Sequence, residues 1–146
     1  MSKVLIVHCS MSGNTKAAAE AIAKGAKAAG AQVTVKEGAA ANPSDLLECD
    51  AVALGSYDAF SYMGGGLKDF FDRAFYPTQG QVTDKPYAAF LTHGGGGKAI
   101  QSIDSVAKSF KLKKVAEAVL IKGKPEGKSL ADLKTLGATM ASAAQK

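Results

Sequence analysis

Hydrophobic residues along this chain keep switching period, and that alternation limits the fold more than any single motif does. Val4–Val7 is a short apolar run that reads as a strand. Residues 15–29 then place Ala18, Ala21, Ile22, Gly25, Ala26 and Ala29 at helical spacing, and Gly30 supplies the stop. Gln32–Val35 and Ala51–Leu54 read as two further strands. Leu67, Phe70, Phe71, Ala74 and Phe75 form an amphipathic helical stripe. Tyr87–Leu91 is a fourth strand, with Pro86 at its tolerated first position. Ile100, Ile103, Val106, Ala107 and Phe110 mark a helix, and Lys114–Ile121 a fifth strand. Leu130, Leu133, Leu136 and Met140 form the last stripe, opened by Ser129 and Asp132 as a capping-box pair. Only 37–50 breaks the rhythm, and a loop or one short turn is expected there. Such alternation predicts an α/β fold, a doubly wound parallel sheet of five strands with helices on both faces.

Composition narrows the setting. At 146 residues and 47% hydrophobic, the chain suits a single domain spanning 1–146. No apolar run approaches the roughly 18 residues of a membrane span, and the N-terminus reads as a strand, so a cytoplasmic location is expected. Two cysteines, Cys9 and Cys49, are too few for a disulfide framework or a four-ligand zinc site. No metal site is expected.

In open sheets of this kind, ligands bind beyond the carboxyl ends of the strands. Three loops therefore carry the functional reading. The first, Ser10-Met11-Ser12-Gly13-Asn14-Thr15, runs into a helix and offers hydroxyls, an amide and backbone N–H groups to a phosphate. The plain alternative is that Ser12 or Asn14 caps the helix while Gly13 serves the turn. The second, Gly55 to Gly66, holds Ser56, Tyr57, Phe60 and Tyr62 followed by Gly64, which suits a flat heteroaromatic ligand. The alternative is that these rings cover the edge of the core. The third, Thr92-His93-Gly94-Gly95-Gly96-Gly97, exposes bare backbone, with His93 either a donor to the ligand or a solvent-exposed loop residue. His8 reads as structural.

Other loop chemistries fail on spacing. Gly13 stands alone, so the dinucleotide fingerprint is absent, and Gly97-Lys98 lacks both the upstream glycine and the following Ser/Thr of a Walker loop. His8 and Cys9 stand where a receiver domain would carry acidic metal ligands.

Taken together, the three loops resemble the flavodoxin family, whose first loop reads T/S-x-T/S-G-N-T, matched here by S-M-S-G-N-T at Ser10–Thr15. The likeness covers nearly the whole chain, including the ending Gly123-Lys124-Pro125 and Leu136-Gly137. It implies a flavodoxin-like sheet of order 2-1-3-4-5 and FMN as cofactor. By the same likeness, Ser10, Ser12, Gly13, Asn14 and Thr15 would bind the phosphate. Ser56, Tyr57, Phe60, Tyr62 and Gly64 would lie along one side of the isoalloxazine, and Thr92, His93, Gly94, Gly95 and Gly96 along the other. The flavin would carry the chemistry, with no catalytic side chain and His93 a candidate tuning residue. The implied function is electron transfer between partner proteins. The alternative is an NAD(P)H-dependent quinone or FMN reductase on the same fold.

Two departures from that family stand out. The third loop lacks the tyrosine that typically stacks on the flavin. Asp58 is the one acid in the two ring-facing loops, which implies a less negative potential for the reduced anion.

Charge is lopsided as well. The net charge is +5, of which residues 74–146 contribute +6, and Arg73 is the one Arg beside seventeen Lys. Lys108, Lys111, Lys113, Lys114, Lys122, Lys124 and Lys128 form a lysine-rich stretch, which raises a third reading as a basic nucleic-acid module. No Arg or aromatic residue interleaves these lysines after Phe110, so nucleic acid is not the expected partner. Acidic redox proteins are. Monomer and homodimer both remain open, with Phe75-Tyr76-Pro77 a candidate dimer surface.

Overall fold

A computed structural model describes residues 1–146. Four parallel strands make the body of the sheet: β1 (Lys3–His8), β2 (Gln32–Glu37), β3 (Ala51–Ala59) and β5 (Pro86–His93). The short β4 (Tyr62–Met63) folds back antiparallel on β3. Two pieces, β6 (Lys113–Lys114) and β7 (Val119–Lys122), both run parallel to β5. The order is β2-β1-β3-β5 and then this divided edge, which is the expected 2-1-3-4-5 with its fifth strand in two parts.

Register explains the division. Pro86 pairs with Lys113 and Tyr87 with Lys114, whereas Phe90 pairs with Val119, so the edge carries two more residues than β5 between those pairs. The surplus at Val115–Ala118 leaves as a bulge. The expected continuous strand Lys114–Ile121 is corrected accordingly.

Alternation along β1 separates two cores. Leu5 and Val7 point to one face, against Leu46 of α2 (Pro43–Glu48), Phe70 of α3 (Gly65–Thr78) and Ile103 of α4 (Ile100–Ser109). Val4 and Ile6 point to the other, against α1 (Asn14–Ala28) and α5 (Lys128–Ala144). The Ala-rich face of α1 lets α5 approach closely. A Cβ on Gly25 would strike the Lys134 carbonyl, and one on Gly137 the Ile22 carbonyl. No helix is long and apolar enough to cross a membrane.

Two further differences from the sequence expectations have local causes. The segment 37–50 contains α2, six residues with Pro43 at its start and Asn42 and Asp45 forming a capping box. The lone arginine pins that segment to α3: Arg73 donates to the carbonyls of Gly38 (2.7 Å) and Ala41 (2.9 Å). The N-cap of α5 is Gly127, not Ser129. Ser129 Oγ instead accepts from the Glu126 amide at 2.8 Å, and Asp132 pairs with Lys128.

Candidate functional site

At the carboxyl end of the sheet, β1, β3 and β5 open into a cleft of about 230 Å³ lined by Ser12, Asn14, Tyr57, Asp58, Thr92, His93, Gly94 and Gly123. All three loops singled out from sequence meet there.

The first loop supplies one wall. Gly13 is the N-cap of α1, with φ 95°, and no side chain caps the helix. Neither Ser12 nor Asn14 therefore plays the capping role that was their alternative reading. Ser10 shapes the turn instead, its Oγ accepting from the Gly13 amide at 3.0 Å. With no side-chain cap and no acidic residue in the first turn, the leading N–H groups of α1 are left for an outside acceptor. Thr15 is buried, and its Oγ1 lies 2.7 Å from Thr92 Oγ1, which ties the start of α1 to the end of β5.

The second wall is a hairpin, not a loop. β3 stays paired with β5 as far as Tyr57 opposite Thr92, then turns through Phe60 and Ser61 into β4. Both turn residues have positive φ, 57° and 65°, as a tight two-residue hairpin demands. Asp58 Oδ1 accepts from the Ser61 amide at 2.7 Å and helps hold that conformation. Ser56 is fully buried. Its hydroxyl accepts from the Gly64 amide and donates to the Tyr57 carbonyl, each at 2.7 Å, so it braces the wall from behind.

Tyr57, the one ring on the cleft, is half-buried and packs against the core beside Cys9. Burial and the neighbouring Cys9 sulfur push its phenol above the ordinary value, keeping it neutral. A Cβ on Gly64 would lie 2.5 Å from the Tyr57 ring and 2.8 Å from Cys9 Sγ, so only glycine lets the ring sit where it does. Tyr62 is partly exposed, and Phe60 projects wholly into solvent, so neither of these two rings covers the core.

The third wall is nearly bare. His93 is half-exposed, and its Nδ1 accepts from the Gly95 amide at 3.0 Å. Gly94 lines the cleft, and a Cβ there would meet no protein atom within 4 Å. Its φ is not positive either. Neither packing nor backbone conformation calls for glycine at 94, which fits a position where a ligand approaches the backbone. Gly95 and Gly96 are exposed and lie off the lining.

Donors at a helix start, a flat tyrosine and a side-chain-free backbone opposite it suit a phosphorylated planar group. The flavodoxin family profile matches residues 6–134. The chain belongs to the flavodoxin family. It is 35% identical to a flavodoxin of Aquifex aeolicus, over 66% of this chain and 53% of that protein. It is 32% identical to an NAD(P)H dehydrogenase (quinone) of Rhizobium rhizogenes, over 50% of this chain and 47% of that protein. The chain thus spans about half the length of the curated relatives it matches. A solved flavodoxin from the domain Archaea superposes with a TM-score of 0.88 at 29% identity, over 99% of each chain.

Flavodoxins are flavin-binding proteins, and this member brings Ser12, Asn14, Tyr57, Thr92, His93 and Gly94 onto one cleft. Sequence reasoning placed Asp58 in a ring-facing loop through its charge and missed Gly123 as a lining residue. Gly123 follows the fifth strand, whose end lies outside the three loops read as ligand-facing. Its amide donates to the His93 carbonyl at 2.9 Å and closes the cleft on that side.

Proposed function

We propose that the cleft holds FMN and that this flavodoxin carries electrons between partner proteins. The observation that carries this reading is the pairing of an uncapped α1 start with a cleft wall at Gly94 that has no structural need to be glycine. In this reading, the leading amides of α1 with Ser12 and Asn14 take the phosphate. Ser10 and Gly13 set the loop, and Thr15 anchors it to Thr92. Tyr57 lies along the ring, Tyr62 borders its exposed edge, and Gly64 and Ser56 hold Tyr57 in place. His93 and Gly94 give the opposite side a polar backbone, and Gly95 and Gly96 continue that loop beyond the lining. When bound, the flavin supplies reversible electron uptake; the chain binds it, orients it and shields one side of it from water. Cys9 and Cys49 are free, which suits a reducing, cytoplasmic setting.

The test is the visible spectrum of the purified protein, followed by titration of the flavin-free form with FMN and with riboflavin. FMN is expected to bind at least tenfold more tightly. Equal affinities would remove the phosphate role of the first loop.

A second reading, an NAD(P)H-dependent quinone or flavin reductase, is favoured by the lack of an aromatic cover on the glycine side and by the likeness to the Rhizobium rhizogenes protein. Bleaching of the flavin band on adding NADPH supports it; an unchanged band leaves the carrier.

A further inference from the structure

Lysines gather on one flank of the cleft. Lys98 follows the glycine loop, while Lys122 and Lys124 stand on either side of the cleft-lining Gly123. All three are exposed, and none enters an ion pair of the fold. Lys122 ends β7 opposite His93, so this charge is fixed in register beside the cleft. Two residues back, Leu120 is 48% exposed and packs within van der Waals reach of the Gly97 position. The acids nearby do not cancel the charge. Asp58 is half-buried and engaged with the Ser61 and Ala99 amides, and Glu126 is one exposed carboxylate against three ammonium groups.

A lysine on an edge strand can serve simply to block strand pairing. That accounts for Lys122 alone, because Lys98 lies in a loop and Lys124 lies beyond the strand. Nor do the three converge on a cup that would chelate a small anion, since none of them lines the cleft. What they form is a field around an exposed apolar residue, Leu120, beside the glycine loop. Such an arrangement steers and orients a large, oppositely charged surface.

We infer that the flank formed by Lys98, Leu120, Lys122 and Lys124 is a docking face for an acidic redox protein. The inference rests on the reading of the cleft as a flavin site, and it names the charge of the partner. Docking there brings the partner's centre next to the glycine wall, the side of the cleft with least cover.

The test uses FMN-loaded protein and a stoichiometrically reduced acidic [2Fe–2S] ferredoxin as donor, mixed in stopped flow. Each donor is oxidised by one electron, so two donors reduce one flavin, with protons drawn from solvent. The charge-reversed variant Lys98→Glu/Lys122→Glu/Lys124→Glu is compared with Lys108→Glu/Lys111→Glu/Lys113→Glu. The second set changes the net charge equally at the opposite end of β5. Flavin spectra and thermal melts establish that both variants fold and load.

At low ionic strength the first variant is expected to react at least about tenfold more slowly and to lose its salt dependence, while the second stays within about threefold of the parent. Backbone amide shifts on adding oxidised ferredoxin are expected at Lys98 and Leu120–Lys124, in flavin-loaded and flavin-free protein alike. Equal slowing in both variants means net charge alone acts and overturns the docking face. So does an unchanged rate in the first variant. Shifts at the same residues with a DNA oligonucleotide but not with ferredoxin overturn it in favour of nucleic acid. A protein that takes up no flavin overturns the cofactor reading, and the inference with it.

Discussion

The tyrosine wall of the cleft is pinned by several side chains, whereas the glycine wall has a single side-chain contact. Ser56 holds the Gly64 amide, Asp58 holds the Ser61 amide, and Ser102 Oγ accepts from the Met63 amide at 3.0 Å. Across the cleft, residues 94–97 have one such contact, from the Gly95 amide to His93 Nδ1. The pinned wall stores backbone strain at Phe60 and Ser61 that its hydrogen bonds offset. The other wall contributes space. A ligand seated between them would be oriented by the first and approached from the second.

The sharpest way to break this comparison is one added methyl or isopropyl group on each wall. Gly64→Val drives a side chain into the Tyr57 ring and Cys9. We expect a loss of about 1–3 kcal/mol in stability, as overpacking costs elsewhere, together with loss of FMN binding by more than about tenfold. Gly94→Ala meets no protein atom. Its melting temperature should match the parent's, with stability changed by less than about 0.5 kcal/mol, while FMN affinity falls by about tenfold. Denaturant melts and FMN titrations on both variants check the pair. If Gly94→Ala binds FMN as tightly as the parent, the glycine wall does not touch the flavin.

Beneath the two walls, the end of β1 sharpens the contrast between the two faces of the sheet. Cys9 sits under the tyrosine wall, where its sulfur contacts Ser56 Oγ at 3.4 Å. His8 points to the other face and is buried, with Nδ1 lacking any partner. Burial chiefly pushes its pKa below the ordinary 6.5, assisted by Lys16 and opposed by Glu37 and Glu20. The unfolded chain therefore takes up this proton at a higher pH than the folded chain. Stability should fall as pH drops from 6.5 toward the lower folded value, by at most about 1.4 kcal/mol per pH unit from this one group. Melting temperatures between pH 7.5 and 5.5 should show that slope, and His8→Leu should flatten it. An unchanged slope in His8→Leu assigns the acid sensitivity elsewhere.

Much of this architecture is legible in the sequence because the signals that matter are periodic. The apolar run at Val4–Val7, the helical stripe at Leu67–Phe75 and the Pro86 strand start each fall where the fold puts them. The misreadings occur where a distant partner decides. Gly55-Ser56-Tyr57 carries loop-forming residues, yet pairing with Phe90, Leu91 and Thr92 keeps it in the sheet. The surplus residues at Val115–Ala118 become visible only through their register with β5. In the site, Ser12, Asn14, Tyr57, His93 and Gly94 follow from loop composition, since backbone access and flat rings are local properties. Ser56 shows the limit of that logic. The family likeness sets it along the ligand, yet its hydroxyl is buried, donating to the Tyr57 carbonyl and accepting from the Gly64 amide eight residues on.

Asp58 joins the two walls and gives the finest test of how they differ. It belongs to the hairpin, lines the cleft, and reaches across to the Ala99 amide at 3.4 Å as well as to Ser61. It is also the one acidic residue among the cleft lining, so it is the one full negative charge set against a reduced flavin anion. Asp58→Asn keeps an acceptor for the Ser61 amide and removes the charge. Through a partly solvated path, that charge is worth about 0.5–1 kcal/mol, or about 20–40 mV for one electron. The potential for the final electron should therefore become less negative by that amount, with the flavin spectrum little changed. A redox titration of parent and variant checks it. A shift of the opposite sign would mean that Asp58 acts on the flavin through hairpin geometry, and that the pinned wall, not its charge, sets the potential.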